Sequence, residues 1–343
     1  MSWTAADIPN QAGRVAVVTG TGGLGFEDAL ALARAGAEVI VAGRNPQKGA
    51  EAIAAIRAQV AGAVVSFEQL DLASLKSVEA FAARLAQQRQ SLDFLINNAG
   101  VMVPPKRQET ADGFELQFGT NYLGHFALTA HLMPLLRKGK TPRVINLSSV
   151  AARQGRIDFN DLQSTTRYVP MQAYCQSKIA CLMFALELQR RSAAGRWGVT
   201  SIAAHPGVSR TDLLHNSPGE GSLMSVARSW LWFLFQPAAN GAWPTLFAAT
   251  ARQAEGGAYY GPGYFGETRG APSTARVPDR ALDLGNALRL WRASEQLTGL
   301  RFDDDEQDAQ DGSDRRFTPH SSRPAPPRKA PPAARAAPRQ RSR

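Results

Sequence analysis

The sequence predicts an α/β fold of the Rossmann type, in which helices cover both faces of a doubly wound parallel sheet of about seven strands. Two observations carry this prediction. Short runs rich in β-branched residues alternate with helix-length segments, as expected for successive βαβ units. These runs are apolar on both faces, which is typical of parallel strands covered on both sides. Right-handed crossovers then give the doubly wound arrangement, with ligands bound at the carboxyl ends of the strands.

Each strand and helix is placed by its own periodicity and by the glycines and prolines around it. The strands are predicted at residues 14–19, 38–42, 63–67, 92–96, 143–147, 199–204 and 257–265. The helices are predicted at residues 24–35, 46–60, 74–89, 112–137, 172–191, 241–253 and 279–297. Residues 150–171 and 208–240 follow neither period and are predicted to be irregular.

The positive charge of the chain is concentrated at its C-terminal end. Nine of the ten net positive charges lie in residues 315–343, which contain no acidic residue, so the rest of the chain carries a net charge of +1. This Pro- and Arg-rich stretch and the acidic run before it have little to bury. We therefore expect one domain at residues 1–302 and a disordered tail at residues 303–343. A nearly neutral body also argues against nucleic acid as a partner.

Composition favours a cytoplasmic location. No run of about 18 uncharged apolar residues is present, so no transmembrane segment is expected, and the first residues lack the basic and apolar regions of a secretory signal. Cys175 and Cys181 are too few for a disulfide framework. The histidines have no metal-ligand spacing, so no metal is expected and they are interpreted as structural or surface residues: His125, His131, His205, His215 and His320.

A glycine-rich turn at residues 19–25 follows the first predicted strand. Gly20, Gly22 and Gly25 fit G-x-G-x-x-G, in which glycines permit a tight turn and let a pyrophosphate approach the amides of the next helix. Arg44, near the end of the second strand, would attract the 2′-phosphate of NADP(H), or else is simply solvated. Asp71 would either bind the adenine amino group or cap the following helix. NADP(H) is favoured, with NAD(H) as the alternative.

Tyr174 and Lys178 are four residues apart in a predicted helix and therefore share one face. A tyrosine phenol ordinarily titrates near pH 10. A cation one turn away, together with a cationic nicotinamide, favours the phenolate form. The spacing is common by chance, and the alternative is a packed tyrosine beside a solvated lysine.

Together these motifs resemble the short-chain dehydrogenase/reductase family over residues 14–300, and within it the retinol dehydrogenase and protochlorophyllide reductase branch. The resemblance depends on residues 19–25, Asp71, residues 97–100, Asn121, Ser149, Tyr174, Lys178, Pro206, Gly207 and Thr211. It implies that Tyr174 is the general acid or base and that Lys178 holds the nicotinamide ribose. It also implies that Ser149, rather than Ser148, bonds the substrate oxygen. Asn121 would position a relay water; without the other motifs, it would be interpreted as a helix amide bonded to neighbouring backbone.

The resemblance implies a set of cofactor contacts as well. They are Gly20, Gly22, Gly23, Leu24, Gly25, Arg44, Asp71, Leu72, Asn98, Ala99, Gly100, Tyr174, Lys178, Pro206, Gly207, Val208 and Thr211. The turn departs from the family pattern T-G-x-x-x-G-x-G because it lacks one residue. In the family, the missing position often helps to hold the adenosine ribose or its 2′-phosphate.

The expected function is NADP(H)-dependent hydride transfer between nicotinamide and an apolar carbonyl compound or alcohol, in a homodimer or homotetramer. The aromatic residues 230–235 lie where the family has its substrate lid, and would line an apolar pocket, insert into a membrane interface or pack against another subunit. Two alternatives are a catalytically silent cofactor-binding regulator and a reductase specialised for a retinoid or tetrapyrrole.

Overall fold

Eight strands form one sheet in the computed structural model of the protein, which describes residues 3–208 and 236–302. The strands are β1 (Val15–Thr19), β2 (Glu38–Gly43), β3 (Val65–Gln69), β4 (Phe94–Asn97), β5 (Arg143–Leu147), β6 (Thr200–Ala204), β7 (Tyr259–Tyr264) and β8 (Arg269–Thr274). Their order is β3-β2-β1-β4-β5-β6-β7-β8, and only β8 is antiparallel to its neighbour. The sheet is therefore of the predicted doubly wound type.

The described residues also form eight α-helices, three of which begin at a side-chain cap. They are α1 (Gly23–Arg34), α2 (Pro46–Gln59), α3 (Leu75–Gln88), α4 (Gly124–Leu136), α5 (Pro170–Gly195), α6 (Ala238–Gly241), α7 (Trp243–Thr250) and α8 (Leu284–Thr298). Short 3-10 helices lie at Ala5–Asp7, Val150–Gln154 and Asp279–Ala281, and a π-helix at Phe118–Leu123 leads into α4. Asn45 caps α2, Ser74 caps α3 and Asp283 caps α8 through their side-chain oxygens.

Two hydrophobic cores lie on the two faces of the sheet. In β1, Val17 faces one core, whereas Ala16 and Val18 face the other, because successive side chains of a strand point in opposite directions. Helices α3, α4, α5 and α8 close the first core, and α1, α2 and α7 close the second. Burial on both faces explains why the inner strands are continuous apolar runs.

The path of the chain across the sheet reverses at β1. From β1 the chain goes outward through β2 to β3, then returns to β4 on the other side of β1 and continues toward β7. The carboxyl ends of β1 and β4 therefore flank a crevice of the kind in which doubly wound folds bind their ligands. The segments after β1, β4, β5 and β6 carry most of the predicted site residues and meet at this edge of the sheet.

The predicted fold class is confirmed, and two details of the prediction are wrong. The sheet has an additional edge strand, β8, which pairs only with β7 and contains Gly270 and Pro272, so neither an apolar run nor alternation marks it. The helix predicted from residue 112 begins instead with the π-helix Phe118–Leu123. Thr211, residues 230–235, His215, His320 and the tail at residues 303–343 lie outside the described residues, so the expectations about them and about the boundary at residue 302 stay predictions.

Within residues 3–208 and 236–302, no helix combines the length and the apolar character that crossing a membrane requires.

An aromatic cluster fixes α8 against α4 and α5. The ring centroid of Trp291 lies 4.7 Å from that of Phe302, 5.2 Å from Phe126 and 5.8 Å from Phe184. The Arg191 guanidinium lies 4.2 Å from the indole ring. Trp291 is fully buried, so its side chain leaves a large cavity when it is removed.

We expect Trp291→Ala to lower the free energy of unfolding by about 3–5 kcal/mol, because the lost burial adds to the cost of the cavity. Urea denaturation followed by circular dichroism measures the change. Leu284→Ala, at an exposed position of the same helix, is the control and should change stability by less than about 0.5 kcal/mol. Similar losses in the two variants would contradict the proposed role of the cluster.

Candidate active site

The glycine turn joins β1 to α1 and forms one wall of the crevice. Gly20 has φ +105, and its amide donates to the Ala42 carbonyl at 2.7 Å. A Cβ on Gly25 would stand 2.6 Å from Nδ2 of Asn98, so only glycine fits there. Gly22 begins α1 without a side-chain cap, which leaves the first-turn amides available to an anion. These features fit a dinucleotide pyrophosphate.

Thr19 ties this turn to the segment after β4. Its hydroxyl oxygen accepts hydrogen bonds from the amides of Asn98 and Ala99, both at 2.9 Å. The Asn98 side chain in turn donates to the Thr19 carbonyl at 2.8 Å. The structure therefore brings together two predicted cofactor contacts, Asn98 and Ala99, with the glycine turn that they are expected to complement.

His125 continues this network to the first turn of α4. Its Nδ1 lies 2.9 Å from the Asn121 carbonyl, which can only accept, so Nδ1 carries the proton. Nε2 is then an acceptor and lies 3.0 Å from the Thr19 hydroxyl. Burial lowers the pKa of His125 from 6.5 to about 4, with Lys178 adding to the effect and the Asn121 carbonyl opposing it. The imidazole is thus neutral and structural, as the sequence suggests, but it also joins two predicted site segments.

Asn121 lies in the π-helix and is held from three sides. Its Oδ1 accepts from the Val101 amide at 2.7 Å, and its Nδ2 donates to the Val101 carbonyl at 3.0 Å and to the Ser177 hydroxyl at 2.9 Å. Its own carbonyl accepts from His125 and from the Cys181 thiol, with Sγ at 3.2 Å. The side chain therefore joins the segment after β4 to α5, and its partners are not the neighbouring helix backbone. The relay role of Asn121 stays a prediction.

Tyr174 and Lys178 share one buried face of α5. Nζ of Lys178 lies 5.9 Å from the centroid of the Tyr174 ring and donates to the Leu147 carbonyl at 3.1 Å. Gly100 borders this face, because a Cβ at that position would lie 3.7 Å from Nζ. Lys178 is only 6% exposed, which excludes the solvated lysine that chance spacing would give.

Ser148 and Ser149, directly after β5, direct their hydroxyl groups to different partners. Ser148 is buried and its hydroxyl donates to the Lys178 carbonyl at 2.8 Å, so it ties β5 to α5. The Ser149 hydroxyl accepts from the Ala151 amide at 3.2 Å and starts the 3-10 helix Val150–Gln154. This contact leaves the Ser149 hydroxyl proton available to another acceptor, which is the arrangement that the predicted role of Ser149 requires.

The segments after β2 and β3 lie on the adenosine side of the crevice. Arg44 is exposed, and no hydrogen bond or ion pair holds its guanidinium within the part of the chain that the structure describes. A carboxylate oxygen of Asp71 accepts from the Ala73 amide at 3.0 Å, whereas Ser74 caps α3, so Asp71 is not the helix cap. Leu72 is buried, and its carbonyl faces Gly124.

The segment after β6 carries the last predicted cofactor contacts, Pro206, Gly207 and Val208. Gly207 has φ +66, and the Val208 amide donates to the Thr268 carbonyl at 2.9 Å. The Gly207 amide donates to Nδ1 of His205 at 3.1 Å. His205 is not among the predicted site residues, although its position at the end of β6, directly before Pro206, is a signal that points to the site.

Two further expectations concern metals and thiols. Over residues 3–208 and 236–302, no group of His, Cys, Asp and Glu side chains has the geometry to hold a metal ion. Cys175 and Cys181 are both buried free thiols. Burial raises the pKa of the Cys181 thiol, which makes it a poor nucleophile at neutral pH.

Comparison with known proteins gives consistent results. A family model described as short chain dehydrogenase matches residues 14–220. Polyprenol dehydrogenase of Mus musculus is 41% identical over 298 residues, covering 85% of this chain and 86% of that protein. Retinol dehydrogenase 13 of Homo sapiens is 41% identical over 301 residues, covering 86% of each. A crystal structure of a protein from Mycobacterium paratuberculosis has a TM-score of 0.73 and 41% identity, covering 88% of this chain and 99% of that one.

The neutral state of His125 predicts a specific acid sensitivity. Because its folded-state pKa is depressed, its contribution to stability is complete above pH 6.5 and is lost as the pH falls toward about 4. A shift of that size corresponds to about 3 kcal/mol. His125→Gln should be less stable than the wild type at pH 7.5. Between pH 7.5 and pH 4, however, we expect its free energy of unfolding to fall by about 3 kcal/mol less than that of the wild type.

Urea unfolding over a pH series measures this difference. The control is His131→Gln, since His131 is only half-buried and its pKa is lowered by burial against the opposing charge of Glu79. Parallel stability curves for the wild type and His125→Gln would show that His125 is not the neutral buried group.

Proposed function

The chain belongs to the short-chain dehydrogenase family and is thus an oxidoreductase. On this premise we propose that it binds NADP(H) and interconverts an apolar carbonyl compound and its alcohol. The observation that carries the proposal is the pairing of Tyr174 with the buried ammonium of Lys178 on the cleft face of α5. The bound nicotinamide supplies the hydride in reduction and accepts it in oxidation.

Tyr174 is the proposed general acid in reduction and general base in oxidation. The Tyr174 ring lies 5.9 Å from Nζ of Lys178 on the same buried face of α5, and a tyrosine hydroxyl can give a proton to the substrate oxygen or take one from it. Lys178 uses one N–H on the Leu147 carbonyl. Two N–H groups of the ammonium remain, and we propose that they bind the nicotinamide ribose and a relay water positioned near Asn121.

Ser149 is the proposed donor to the substrate oxygen, because charge builds up on that oxygen during hydride transfer. Both its side chain and its backbone are held: the Ala151 amide donates to the Ser149 hydroxyl, and the Tyr259 hydroxyl donates to the Ser149 carbonyl at 3.2 Å. A donor fixed in this way needs little reorganisation when the substrate binds.

NADP(H) is the proposed cofactor because Arg44, directly after β2, has an exposed guanidinium that no hydrogen bond or ion pair holds within residues 3–208 and 236–302. A 2′-phosphate would accept forked, charge-assisted hydrogen bonds from it. Gln69 donates to the Arg44 carbonyl at 3.5 Å and thereby supports the backbone at this point.

The proposed substrates are long, apolar isoprenoid alcohols and aldehydes. This choice is supported by the names of the relatives, a retinol dehydrogenase and a polyprenol dehydrogenase. We also propose that the protein is cytoplasmic and homo-oligomeric, with any membrane contact peripheral. The competing candidate, a silent cofactor-binding protein, is supported by the shortened glycine turn.

We expect Tyr174→Phe to lower kcat/KM at least about 100-fold because the proton donor is lost, while the affinity for NADPH stays within about threefold of the wild type. The assay follows NADPH consumption with a panel of retinal, farnesal and decanal. Tyr264→Phe, at an exposed tyrosine, is the control and should be fully active. A wild type that binds NADPH but reduces none of the three aldehydes would instead favour the silent cofactor-binding protein.

We expect Arg44→Glu to lower the ratio of kcat/KM for NADPH to kcat/KM for NADH by at least about tenfold, since a carboxylate repels the 2′-phosphate. Arg252→Glu makes the same charge change at an exposed position after α7 and should leave the ratio unchanged. A ratio that stays constant in Arg44→Glu would refute the role of Arg44.

A further inference from the structure

The imidazole of His205 bridges the segment after β6 to the hairpin formed by β7 and β8. Its Nδ1 accepts from the Gly207 amide at 3.1 Å, so the ring proton is on Nε2. Nε2 lies 3.0 Å from a carboxylate oxygen of Glu267, to which it donates. The side chain of His205 is completely buried, and both ring nitrogens are used.

Glu267 extends this bridge to the segment that carries Ser149. The oxygen that accepts from His205 also pairs with the guanidinium of Arg153 at 2.5 Å, and its other oxygen accepts from the Arg276 amide at 3.0 Å. Arg153 belongs to the 3-10 helix Val150–Gln154, which begins directly after Ser149. A continuous chain of contacts thus runs from the helix of Ser149 to the amide of Gly207.

The backbone conformation of Glu267 and the residues packed around His205 accommodate this bridge. Glu267 has φ +68, a conformation that favours glycine, so the carboxylate is present at a conformational cost. A Cβ on Gly261 would collide with the ring of His205, so β7 carries glycine where the imidazole lies. The ring of Tyr259 lies 5.0 Å from that of His205, and its hydroxyl donates to the Ser149 carbonyl.

We infer that His205 and Glu267 are positioning residues, which hold the Gly207 amide in register with the Ser149 helix through Arg153. The inference rests on the proposed function, in which Ser149 contacts the substrate, and on the expected contact of residues 206–208 with the cofactor. The bridge therefore sets the distance between the two reacting molecules without touching either.

The charge states of the bridge support this inference. Burial lowers the pKa of His205, against the opposing effect of Glu267. Although burial raises the pKa of Glu267, its hydrogen bonds to His205 and to the Arg276 amide, together with the charge of Arg153, bring the pKa down to about 2. A neutral imidazole thus faces an ionised carboxylate, with Arg153 and Tyr259 as the other titratable groups that face it. Protonation would turn Nδ1 into a donor and break its bond to Gly207.

Two substitutions of His205 separate its two hydrogen bonds. In His205→Asn, the amide oxygen replaces Nδ1 as acceptor and the bond to Glu267 is lost; in His205→Gln, the amide nitrogen reaches Glu267 and the acceptor for Gly207 is lost. We expect hydrogen–deuterium exchange at the Gly207 amide of the free protein to accelerate about tenfold in His205→Gln and to stay within about threefold of the wild type in His205→Asn. Equal acceleration in both variants, or none in His205→Gln, overturns the inference.

Calorimetric titration with NADPH tests the consequence for binding. We expect Kd to rise about tenfold in His205→Gln, while kcat with retinal at saturating NADPH falls less than about threefold. Arg153→Met should weaken NADPH binding in the wild type but have no effect in His205→Asn, where the bridge is already broken. An undiminished effect of Arg153→Met in that background would show that the coupling does not pass through His205.

Glu267→Gln is the second variant, and it decides the question if His205→Gln does not fold. It should weaken NADPH binding, whereas the matched control Glu68→Gln, which loses an ion pair with Arg84 at the far edge of the sheet, should not. A wild type that fails to bind NADPH would refute the proposed function instead. In that case exchange at Gly207 still decides whether His205 holds the amide.

Discussion

A buried ammonium without a carboxylate partner is the constraint on which the site depends. Lys178 is 6% exposed, and no ion pair neutralises it within residues 3–208 and 236–302. Burying an uncompensated charge costs free energy unless other groups solvate it. The Leu147 carbonyl and the ring of Tyr174 do part of this. An anion or a hydroxyl-rich ligand in the cleft would stabilise the ammonium further, so the fold favours the ligand-bound state.

Two buried histidines beside the cleft are neutral, chiefly because burial disfavours the charged imidazole. His125 donates from Nδ1 and accepts at Nε2, whereas His205 accepts at Nδ1 and donates from Nε2. Burial lowers the pKa of both side chains, and in His125 the charge of Lys178 adds to this effect. Each imidazole joins two loops at the carboxyl edge of the sheet while adding no further positive charge near the ammonium.

Sequence reasoning predicts the parts of this arrangement that depend on local periodicity and on motif order. Parallel strands that are buried on both faces produce apolar runs, so the inner strands can be predicted from the sequence. The edge strand β8 is exposed and produces no such run. The choice of Ser149 over Ser148 rests on position, and the structure shows Ser148 bonded to the backbone of α5. The π-helix at Asn121 and the bridge through His205 depend on contacts between segments distant in the sequence. These contacts cannot be predicted from the pattern within any single segment of the sequence.

The shortened glycine turn is best understood by separating the two ends of the cofactor. The amides of the first turn of α1 are uncapped by side chains, and Gly25 lies close to Asn98, so the features expected to hold a pyrophosphate are present. The resemblance assigns the missing residue to the adenosine end, and the methyl group of Thr21 lies beside Gly43 at the end of β2. Because Thr21 carries no charge, the proposed discrimination between NADP(H) and NAD(H) depends on the guanidinium of Arg44. An exposed charge of this kind is screened by salt, so the cofactor preference of this protein should weaken as ionic strength rises, whereas pyrophosphate binding to directed backbone amides should weaken less.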